Sequence, residues 1–303
     1  MTILLALLID RFLGEPPARL HPVIWMGQYL EHAGRRLPDL PPWLALPAGA
    51  VAWAVGAAAT VAGAGAATWL VSDLPAWLEL VLLAFLLKPM FALTLLLSEV
   101  AATETALREG LAAGRARLGS LVSRDTAELE PEQVREAAIE SLAENLSDSL
   151  VAPLFWFLVA GLPGAALYRF ANTADAMWGY RGRWEWAGKV AARADDLLNL
   201  IPARLTALAL LGADALRRDR RTVLAAEARR TASPNSGWPM AAMAMALGLR
   251  LGKPGHYVLN EGGTAPGPED LPRALERARR AGLGLALLAA VVQVAMAEVI
   301  IHV

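Results

Sequence analysis

The chain has 303 residues, of which 56% are hydrophobic and 19% are charged. Soluble domains contain roughly 45–50% apolar and about 25% charged residues, so this composition excludes a disordered protein and favours a membrane protein. The formal net charge of -1 is far from the basic balance that favours nucleic acid as a partner, and the absence of cysteine excludes disulfides, thiolate metal sites and cysteine nucleophiles.

Three long apolar runs predict membrane-spanning helices. The run 43–72 contains no charged residue and exceeds the roughly 20 residues that cross the hydrocarbon core. Its glycines and alanines are typical of helices that pack closely in membranes. The run 74–98 predicts the returning helix, with a kink where Lys88 and Pro89 interrupt it. The run 282–299 predicts a third span near the C-terminus.

Four shorter apolar runs leave their relation to the membrane open. The runs 149–167, 198–213 and 239–251 are compatible with spans, re-entrant segments or buried helices. The run 2–9 has no basic leading segment and no small-residue cleavage site. We therefore expect it to begin a retained helix rather than to form a signal peptide.

The arginines indicate which side of the membrane the polar segments occupy. Six arginines lie in 214–230 and four in 273–280, and the positive-inside tendency places both groups in the cytoplasm. The segment 172–199 would lie outside if 149–167 crossed fully, so we expect that run not to cross fully. The sequence therefore predicts an all-α, polytopic integral membrane helical bundle, a single domain over 1–303, with cytoplasmic-facing helical loops.

An acidic row marks one predicted helix. Pro131 suits a first helical position. An apolar stripe follows it at Val134, Ala138 and Leu142. Acidic residues recur at every fourth position and form one slowly turning row, although like charges at that spacing repel one another. The row consists of Glu132, Glu136, Glu140, Glu144 and Asp148.

The two halves of this row have different expected surroundings. The first two glutamates are interpreted as a solvated face near a helix start. Glu140, Glu144 and Asp148 approach an apolar segment, where carboxylates need cations or hydrogen-bond donors. Oxygen ligands in a chain without cysteine favour Mg²⁺, which commonly accompanies phosphate. The amide of Asn145 adds a group that orients a phosphate or a carboxylate.

A second polar constellation follows the next apolar run. It consists of Asn172, Asp175, Asp195, Asp196 and Asn199. Helical periodicity places the first two on one face, and Asp195 and Asn199 on another. The two adjacent aspartates followed by Asn199 are similar to the carboxylate clusters that hold Mg²⁺ in diphosphate-handling enzymes. A helix-capping aspartate and an ion pair between Asp196 and Arg193 are the alternative interpretation.

Three further positions combine polar groups with apolar helices. The turn around Ser233 and Asn235 precedes a predicted helix near Pro239, which is compatible with an anion cradle or with simple N-capping. Arg204 flanks an apolar helix, where phosphate binding and snorkelling are alternatives. His21 lies at a polar–apolar junction and is better explained as a structural histidine.

Taken together, these strings resemble the CobD/CbiB family, the membrane-bound adenosylcobinamide-phosphate synthases of cobalamin biosynthesis. The resemblance extends over most of the chain, and its blocks occur in family order. Arg169, 181–183 and Met240 depart from the family pattern, so the resemblance assigns them no catalytic role. The matching blocks lie within 21–27, 123–126, 138–156, 168–180, 192–206 and 233–248.

The resemblance implies an ATP-dependent amide ligase with Mg²⁺ as cofactor. It would join (R)-1-aminopropan-2-ol phosphate, or free aminopropanol, to adenosylcobyric acid and give adenosylcobinamide phosphate. ATP would convert the carboxylate to an acyl phosphate that the amine attacks. The resemblance also implies a bacterial cytoplasmic membrane as the location, with the lipid bilayer as a partner and the active site facing the cytoplasm. A homo-oligomer and a contact with other corrinoid-pathway membrane enzymes are left open.

Candidate roles follow from this implied chemistry. The expected catalytic residues are Glu140, Glu144, Asp148 and Asp175, the last as a base for the ammonium group. The expected metal ligands are Glu144, Asp148, Asp195 and Asp196. The expected residues for binding substrate or phosphate are Asn145, Asn172, Asn199, Arg204, Ser233, Asn235 and His21.

Two other classes of function are alternatives. A membrane transporter is the first, because intramembrane charges commonly mark ion paths. Transporters place such charges in broken helices near the midplane, whereas most acidic blocks here lie at the margins of apolar runs. A non-catalytic membrane sensor related to the family is the second, and binding of Mg²⁺-ATP by the purified protein would separate it from a ligase.

Overall fold

The computed structural model describes residues 1–302, which form helices and one short antiparallel hairpin. The predicted helical membrane architecture is confirmed. The last position of the predicted domain 1–303 lies outside the described residues. The helices are α1 Thr2–Phe12, α2 Pro22–Gly34, α3 Pro42–Ser72, α4 Ala76–Leu87, α5 Leu93–Glu109, α6 Leu111–Leu118, α7 Pro131–Leu146, α8 Ala152–Trp178, α9 Lys189–Leu198, α10 Leu200–Leu211, α11 Arg218–Ala228, α12 Gly237–Leu247 and α13 Asp270–His302; the strands are β1 Leu251–Lys253 and β2 Tyr257–Leu259.

The helices form two compact units. The first comprises Met1–Ala92, Ala152–Asn199 and the described residues from Ala286 onward. The second comprises Leu93–Val151 and Leu200–Leu285. The expectation of a single domain stays a prediction.

Among the described residues, four helical stretches are long and apolar enough to cross a membrane, and the three predicted long spans fall on three of them. A fifth arises if the bent pair Lys189–Leu198 and Leu200–Leu216 counts as one span. The run 149–167 lies within the remaining stretch, and its incomplete crossing stays a prediction. The four stretches are Pro42–Ser72, Ala76–Glu109, Pro131–Trp178 and Asp270–Met296.

In the first unit, glycines let α3 approach its neighbours closely. A methyl group on Gly49 would overlap the backbone carbonyl of Ala187, and one on Gly56 would overlap the ring of Phe170. Gly63, in contrast, faces open space. The small residues of α3 therefore produce close packing in the first half of the helix, as expected for a membrane helix.

Two breaks interrupt the long apolar helices of the first unit. α4 ends at Leu87, and a single 3₁₀ turn at Lys88–Met90 follows, so the predicted break at Lys88 and Pro89 is confirmed. In α8, Ala160 and Gly161 leave the helical region, and Gly161 has a φ of 61°. Glycine tolerates this left-handed backbone, which breaks the apolar run 149–167.

In the second unit, α7 packs against α5, α6, α12 and β1. The Gln133 side chain accepts a 2.8 Å hydrogen bond from Glu130 N, as in a capping box. Val134, Ala138 and Leu142 are fully buried, which confirms the predicted apolar stripe. Burial of this stripe fixes which face of α7 its acidic row can occupy.

The hairpin follows α12 and was not expected from the sequence. The run 239–251 contains a buried helix up to Leu247, so the buried-helix alternative holds for that part. Its last residue, Leu251, begins β1 and pairs with Leu259 of β2. The turn between the strands contains Gly255 with a φ of 74°, where glycine is favoured.

Candidate active site

The first polar cluster lies in the first unit, and we name it the α8–α9 cluster. Its three carboxylates are close enough to interact electrostatically. The structure thus brings together the residues of the second predicted constellation. The cluster consists of Asn172 and Asp175 from α8, Asp195 and Asp196 from α9, and Asn199 at the end of α9.

Two side-chain amides hold the carboxylate of Asp195. Asn172 Nδ2 donates a 3.2 Å hydrogen bond to Asp195 Oδ1, and Asn199 Nδ2 donates a 3.1 Å hydrogen bond to Asp195 Oδ2. The buried hydroxyl of Tyr168 donates a 3.0 Å hydrogen bond to Asn199 Oδ1. Neutral amide groups therefore orient both oxygens of this carboxylate.

The charge balance of the α8–α9 cluster favours a bound cation. Asp196 pairs with the exposed Arg193 at 3.6 Å, as the alternative interpretation predicted. In the part of the chain that the structure describes, neither Asp175 nor Asp195 forms an ion pair. Asp175 and Asp195 are therefore two neighbouring acids that no described lysine or arginine pairs with, and such carboxylates suit a bound cation.

The donor set fits a magnesium ion that is shared with a phosphate. Among residues 1–302, no group of three His, Asp or Glu side chains is arranged to hold a metal by itself. Mg²⁺ is commonly held by one or two carboxylates and completes its shell with water and substrate phosphates. Asp175 and Asp195 fit that mode of binding.

Gly179 determines the position of Asp175. Its backbone N donates a 2.6 Å hydrogen bond to Asp175 O. A methyl group on Gly179 would overlap the carboxylate of Asp175. Glycine is therefore required at this position, because the Asp175 side chain lies too close for a Cβ atom. Helical periodicity in the sequence already placed Gly179 on the same face as Asp175.

The second polar cluster surrounds a cavity of about 180 Å³ beside α7 in the second unit, which we name the α7 cavity. Three of its lining residues, Glu140, Glu144 and Asn145, are predicted site residues. The others come from the loop before α7, from α7 itself, from α12 and from the hairpin. Its polar lining consists of Ser123, Arg124, Glu140, Ser141, Glu144, Asn145, Lys253 and Tyr257.

Glu140 is the most buried acid of the α7 cavity, with 3% exposure. Arg124 Nη2 lies 2.7 Å from Glu140 Oε2. The other oxygen, Oε1, is buried and has no hydrogen-bond partner within the described residues. Leaving such an oxygen unsatisfied costs about 1–3 kcal/mol, so this position favours a bound donor.

Tyr257 and Lys253 bring hairpin side chains to the same cavity. Burial and the negative charge of Glu140 raise the pKa of Tyr257 above its ordinary value, so its hydroxyl stays protonated. The charge of Lys253 acts on Glu140. Neither residue was predicted as functional. The only sequence signal was the turn-forming dipeptide of Pro254 and Gly255 between two short apolar segments.

The start of the acidic row differs in part from the prediction. Glu132 is exposed, as expected for a solvated face. Glu136 is only 7% exposed, so its interpretation as solvated is wrong. β1 packs against α7, and Arg250 Nε lies 3.9 Å from Glu136 Oε1. The unpredicted hairpin is therefore the physical reason for the burial of Glu136.

Asn145 and Asp148 lie where α7 ends. Asn145 Nδ2 donates hydrogen bonds of 2.9 Å to Ser141 O and 3.2 Å to Ser141 Oγ. Asp148 is half-buried in a π-helical turn at Ser147–Val151, a feature often found at functional sites. The sequence predicted that Glu144 and Asp148 bind a metal together with the two aspartates of α9. These residues belong to different units, and this metal set stays a prediction.

Arg204 contacts the turn after α11 in the second unit. Arg204 Nη1 donates to Asn235 Oδ1 at 2.8 Å, and Nη2 donates to Pro234 O at 3.2 Å. The guanidinium also lies 4.7 Å from the ring of Trp238. Ser233 Oγ accepts the backbone N–H of Asn235 at 3.2 Å. Ser233 thus stabilises the turn before α12, whose N-cap Ser236 forms no side-chain cap, and phosphate binding at these residues stays a prediction.

His21 belongs to a buried charge network in the first unit. Its Nδ1 accepts a 3.3 Å hydrogen bond from Val23 N, and its Nε2 lies 3.2 Å from Glu15 Oε2. Glu15 Oε1 lies 2.6 Å from Lys88 Nζ, which also lies 3.1 Å from Asp10 Oδ1. Protein groups thus occupy both ring nitrogens, which supports a structural role for His21.

Comparison with known proteins identifies the family. The family model described as CobD/Cbib protein matches residues 3–297. The chain is similar to the probable cobalamin biosynthesis protein CobD of Methanothermobacter thermautotrophicus, with 40% identity over 86% of each chain. It is 41% identical to the probable CobD of Pyrococcus furiosus, over 91% of this chain and 92% of the relative. It is 42% identical to the cobalamin biosynthesis protein CobD of Rhodobacter capsulatus, over 94% and 95%.

No solved structure matches the chain. The match to the family model covers nearly the whole sequence, and the relatives align over most of their own length. The resemblance inferred from the polar blocks is therefore confirmed. This chain belongs to the CobD/Cbib family and to the proteins of cobalamin biosynthesis.

Proposed function

We propose that this protein is an ATP-dependent amide ligase. It joins the amine of (R)-1-aminopropan-2-ol phosphate, or of free aminopropanol, to the remaining propionate of adenosylcobyric acid. The product with the phosphorylated amine is adenosylcobinamide phosphate. Membership of a family named for cobalamin biosynthesis supports a corrinoid substrate.

The observation that carries this proposal is the α8–α9 cluster. Asp195 is fixed by two amides, and neither it nor Asp175 forms an ion pair with a described residue. An oriented acidic site of this kind suits a nucleotide that arrives with its metal ion, because the metal then neutralises both partners.

The chemistry requires activation, because a carboxylate is a poor acyl donor at neutral pH. In the first step a propionate oxygen attacks the γ-phosphorus of ATP, the bond to the bridging oxygen breaks, and ADP leaves. In the second step the amine nitrogen attacks the acyl carbon, inorganic phosphate leaves, and the nitrogen loses a proton. Asp175 is the candidate acceptor of a proton from the ammonium group. Its carboxylate is half-buried and forms no ion pair with a described residue, so it is available to take up a proton.

Magnesium would be held by Asp195 with Asp175 or Asp196, and it would supply charge neutralisation at the nucleotide phosphates. Asn172 and Asn199 keep Asp195 in position, while Tyr168 keeps Asn199 in position. These three residues orient the site without entering the reaction. We further propose that the site faces the cytoplasm of a bacterial inner membrane, in agreement with the arginine distribution.

The test uses membranes that contain the full-length protein. They are incubated with adenosylcobyric acid, ATP, MgCl₂ and either amine, and the corrinoids are analysed by mass spectrometry. We expect an amide product that requires all components, with one ADP formed per amide. Unchanged adenosylcobyric acid in the complete mixture would overturn the proposal.

A matched pair of variants tests whether the α8–α9 cluster is the site. Asp175→Asn is expected to abolish product formation while the protein still inserts into the membrane. Asp73→Asn changes an exposed aspartate after α3 and is expected to leave the rate unchanged. Equal rates for both variants would remove the α8–α9 cluster from the mechanism.

A further inference from the structure

An open groove lies at the polar end of α13 in the second unit, and we name it the α13 groove. α10 and the end of α12 contribute Ala209, Ala246 and Leu247 to its walls. Three arginines of α13, spaced by four and three residues, lie on one face of the helix. The groove therefore combines apolar walls with a row of guanidinium groups. Its charged lining consists of Glu269, Arg273, Glu276, Arg277 and Arg280.

The α13 groove lies where a candidate membrane span begins. The stretch Asp270–Met296 is long and apolar enough to cross a membrane. Arg280 is its last charged residue, and 281–296 contains none. Charged side chains are costly in the hydrocarbon core and collect at its edge. This boundary puts the arginines of the groove at the level of the lipid headgroups.

Arg277 is an oriented cation in the α13 groove. Its side chain is half-buried, and its Nε donates a 2.8 Å hydrogen bond to Leu210 O near the end of α10. Among the described residues, neither Nη1 nor Nη2 has a hydrogen-bond partner, and Arg277 forms no ion pair. Binding to a carbonyl at the end of a helix explains the role of Nε, but not that of the two terminal nitrogens. These nitrogens suit a bidentate contact with phosphate oxygens.

The acids near the α13 groove already have arginine partners other than Arg277. The segment 269–280 contains four arginines and three acids, so its formal charge is +1. Because each of these acids contacts a different arginine, Arg277 carries the charge that the described residues leave uncompensated. The contacts are those of Glu276 with Arg279 and Arg280, of Asp270 with Arg273, and of Glu269 with Arg108.

The size of the α13 groove indicates a ligand larger than an inorganic anion. Its volume is about 670 Å³. This volume lies in the range of roughly 300–1,000 Å³ that is typical of sites for organic ligands. The apolar walls offer nothing to an inorganic anion, but they bury the carbon atoms of an organic phosphate. The ligand therefore combines a phosphate with an apolar part.

We infer that the α13 groove binds the anionic headgroup of a membrane phospholipid, with its phosphate at Arg277 and its glycerol carbons against Ala209, Ala246 and Leu247. Arg273 and Arg280 add positive charge on the same helix face. Basic pockets beside membrane helices bind anionic headgroups on the cytoplasmic side, where anionic lipids give the leaflet a negative potential. The arginine distribution indicates the same side for 273–280. This inference does not depend on amide ligation.

Lipid binding to the purified full-length protein in a non-ionic detergent tests the inference. The probes are dioleoylphosphatidylglycerol, which is anionic, and dioleoylphosphatidylcholine, which has the same acyl chains and no net charge. Bound lipids are counted by native mass spectrometry during a titration. We expect the wild type to bind the anionic lipid at least roughly tenfold more tightly, because choline neutralises the phosphate within its own headgroup.

A matched pair of variants locates the lipid. Arg277→Gln is expected to reduce the preference for the anionic lipid at least roughly fivefold, which corresponds to the loss of one arginine at an anionic membrane surface. Arg221→Gln removes the same charge from an exposed, unpaired arginine of α11 in the described chain and is expected to keep the preference. Equal binding of both lipids by the wild type, or equal loss in the two variants, would overturn the inference.

A second variant covers the case in which Arg277→Gln does not fold. Arg280 also lines the α13 groove, and its side chain is 77% exposed, so Arg280→Gln removes a groove charge without disturbing the interior. We expect it to weaken the preference for the anionic lipid more than Arg221→Gln does. An unchanged preference in Arg280→Gln would then count against the α13 groove as the binding site.

Competition with sn-glycerol 3-phosphate distinguishes a lipid from a soluble phosphate. This probe carries the phosphate and the glycerol but no acyl chains. We expect it to leave the anionic lipid bound, and displacement at concentrations similar to those of the lipid would overturn the assignment to a lipid. Every readout is lipid binding, so absence of ligase activity would contradict the proposed function and leave this inference intact.

Discussion

Asn199 Nδ2 donates a 3.1 Å hydrogen bond to Asp195 Oδ2, one helical turn earlier in the chain, and both residues belong to the same candidate site. Asn199 is 2% exposed, so this contact forms in a nearly dry environment. The hydrogen bond from Tyr168 then fixes the orientation of the amide. The acidic group of the site is therefore positioned by a chain of neutral donors.

Replacing Asn199 by alanine should damage both stability and activity. Asn199→Ala removes the donor to Asp195 and the acceptor of the Tyr168 hydroxyl, so we expect a loss of about 1–3 kcal/mol in the free energy of unfolding. We also expect at least roughly a tenfold lower kcat. Tyr168→Phe, which keeps the amide-to-carboxylate bond, should lose less activity. Denaturation in detergent and the ligase assay measure these effects, and wild-type kcat in Asn199→Ala would contradict the positioning role.

A methyl group at Gly179 should displace Asp175. Gly179→Ala places its Cβ on the carboxylate, so we expect a strong loss of product formation. Gly63→Ala is the matched control, since its Cβ would meet open space within α3 and alanine is the better helix former by about 1 kcal/mol. The two variants are compared for membrane insertion and for rate. Normal catalysis by Gly179→Ala would show that the position of Asp175 is irrelevant.

Removal of divalent metal should stop the reaction in a manner that depends on Asp195. Chelation by EDTA is expected to abolish amide formation, and added MgCl₂ should restore it. In Asp195→Asn, half-maximal activity should require at least roughly tenfold more Mg²⁺, because one anionic ligand is lost. Asp73→Asn serves as the control. An identical Mg²⁺ dependence for Asp195→Asn and the wild type would exclude Asp195 as a ligand.

Lys88 should be essential for folding of the first unit rather than for chemistry. It is 2% exposed and contacts the carboxylates of Asp10 and Glu15. Lys88→Met leaves these acids without their shared cation, which typically costs 3–5 kcal/mol. Lys189→Met, at a partly exposed pair, should cost less than about 1 kcal/mol. Thermal unfolding in detergent compares them, and equal melting temperatures would contradict the buried network.

The elements that the sequence predicted correctly depend on local information. A charge-free run identifies α3, and Pro131 with the stripe behind it identifies α7. The residues of the α8–α9 cluster were also predicted, because helical spacing places Asp195 and Asn199 on one face. Local periodicity was therefore sufficient for the long helices and for the pairing of Asn199 with Asp195, but not for the contact between Asn172 and Asp195, which joins two helices.

The contacts that the sequence did not reveal join distant positions. Glu15 meets Lys88 across 73 residues, and Glu140 meets Arg124 across 16. Glu136 appeared solvated because nothing near it in sequence shows that β1 covers it. Such pairings depend on packing between elements, which a single sequence pattern does not encode.

The π-helical turn at Ser147–Val151 adds one residue beyond the regular helical repeat. One additional residue rotates everything after it by about 100°. Leu150 and Val151 point inward in this arrangement, with exposures of 0% and 5%. Deleting one residue from this turn would rotate these two side chains away from the interior. The number of residues in the turn is therefore as important as their identity.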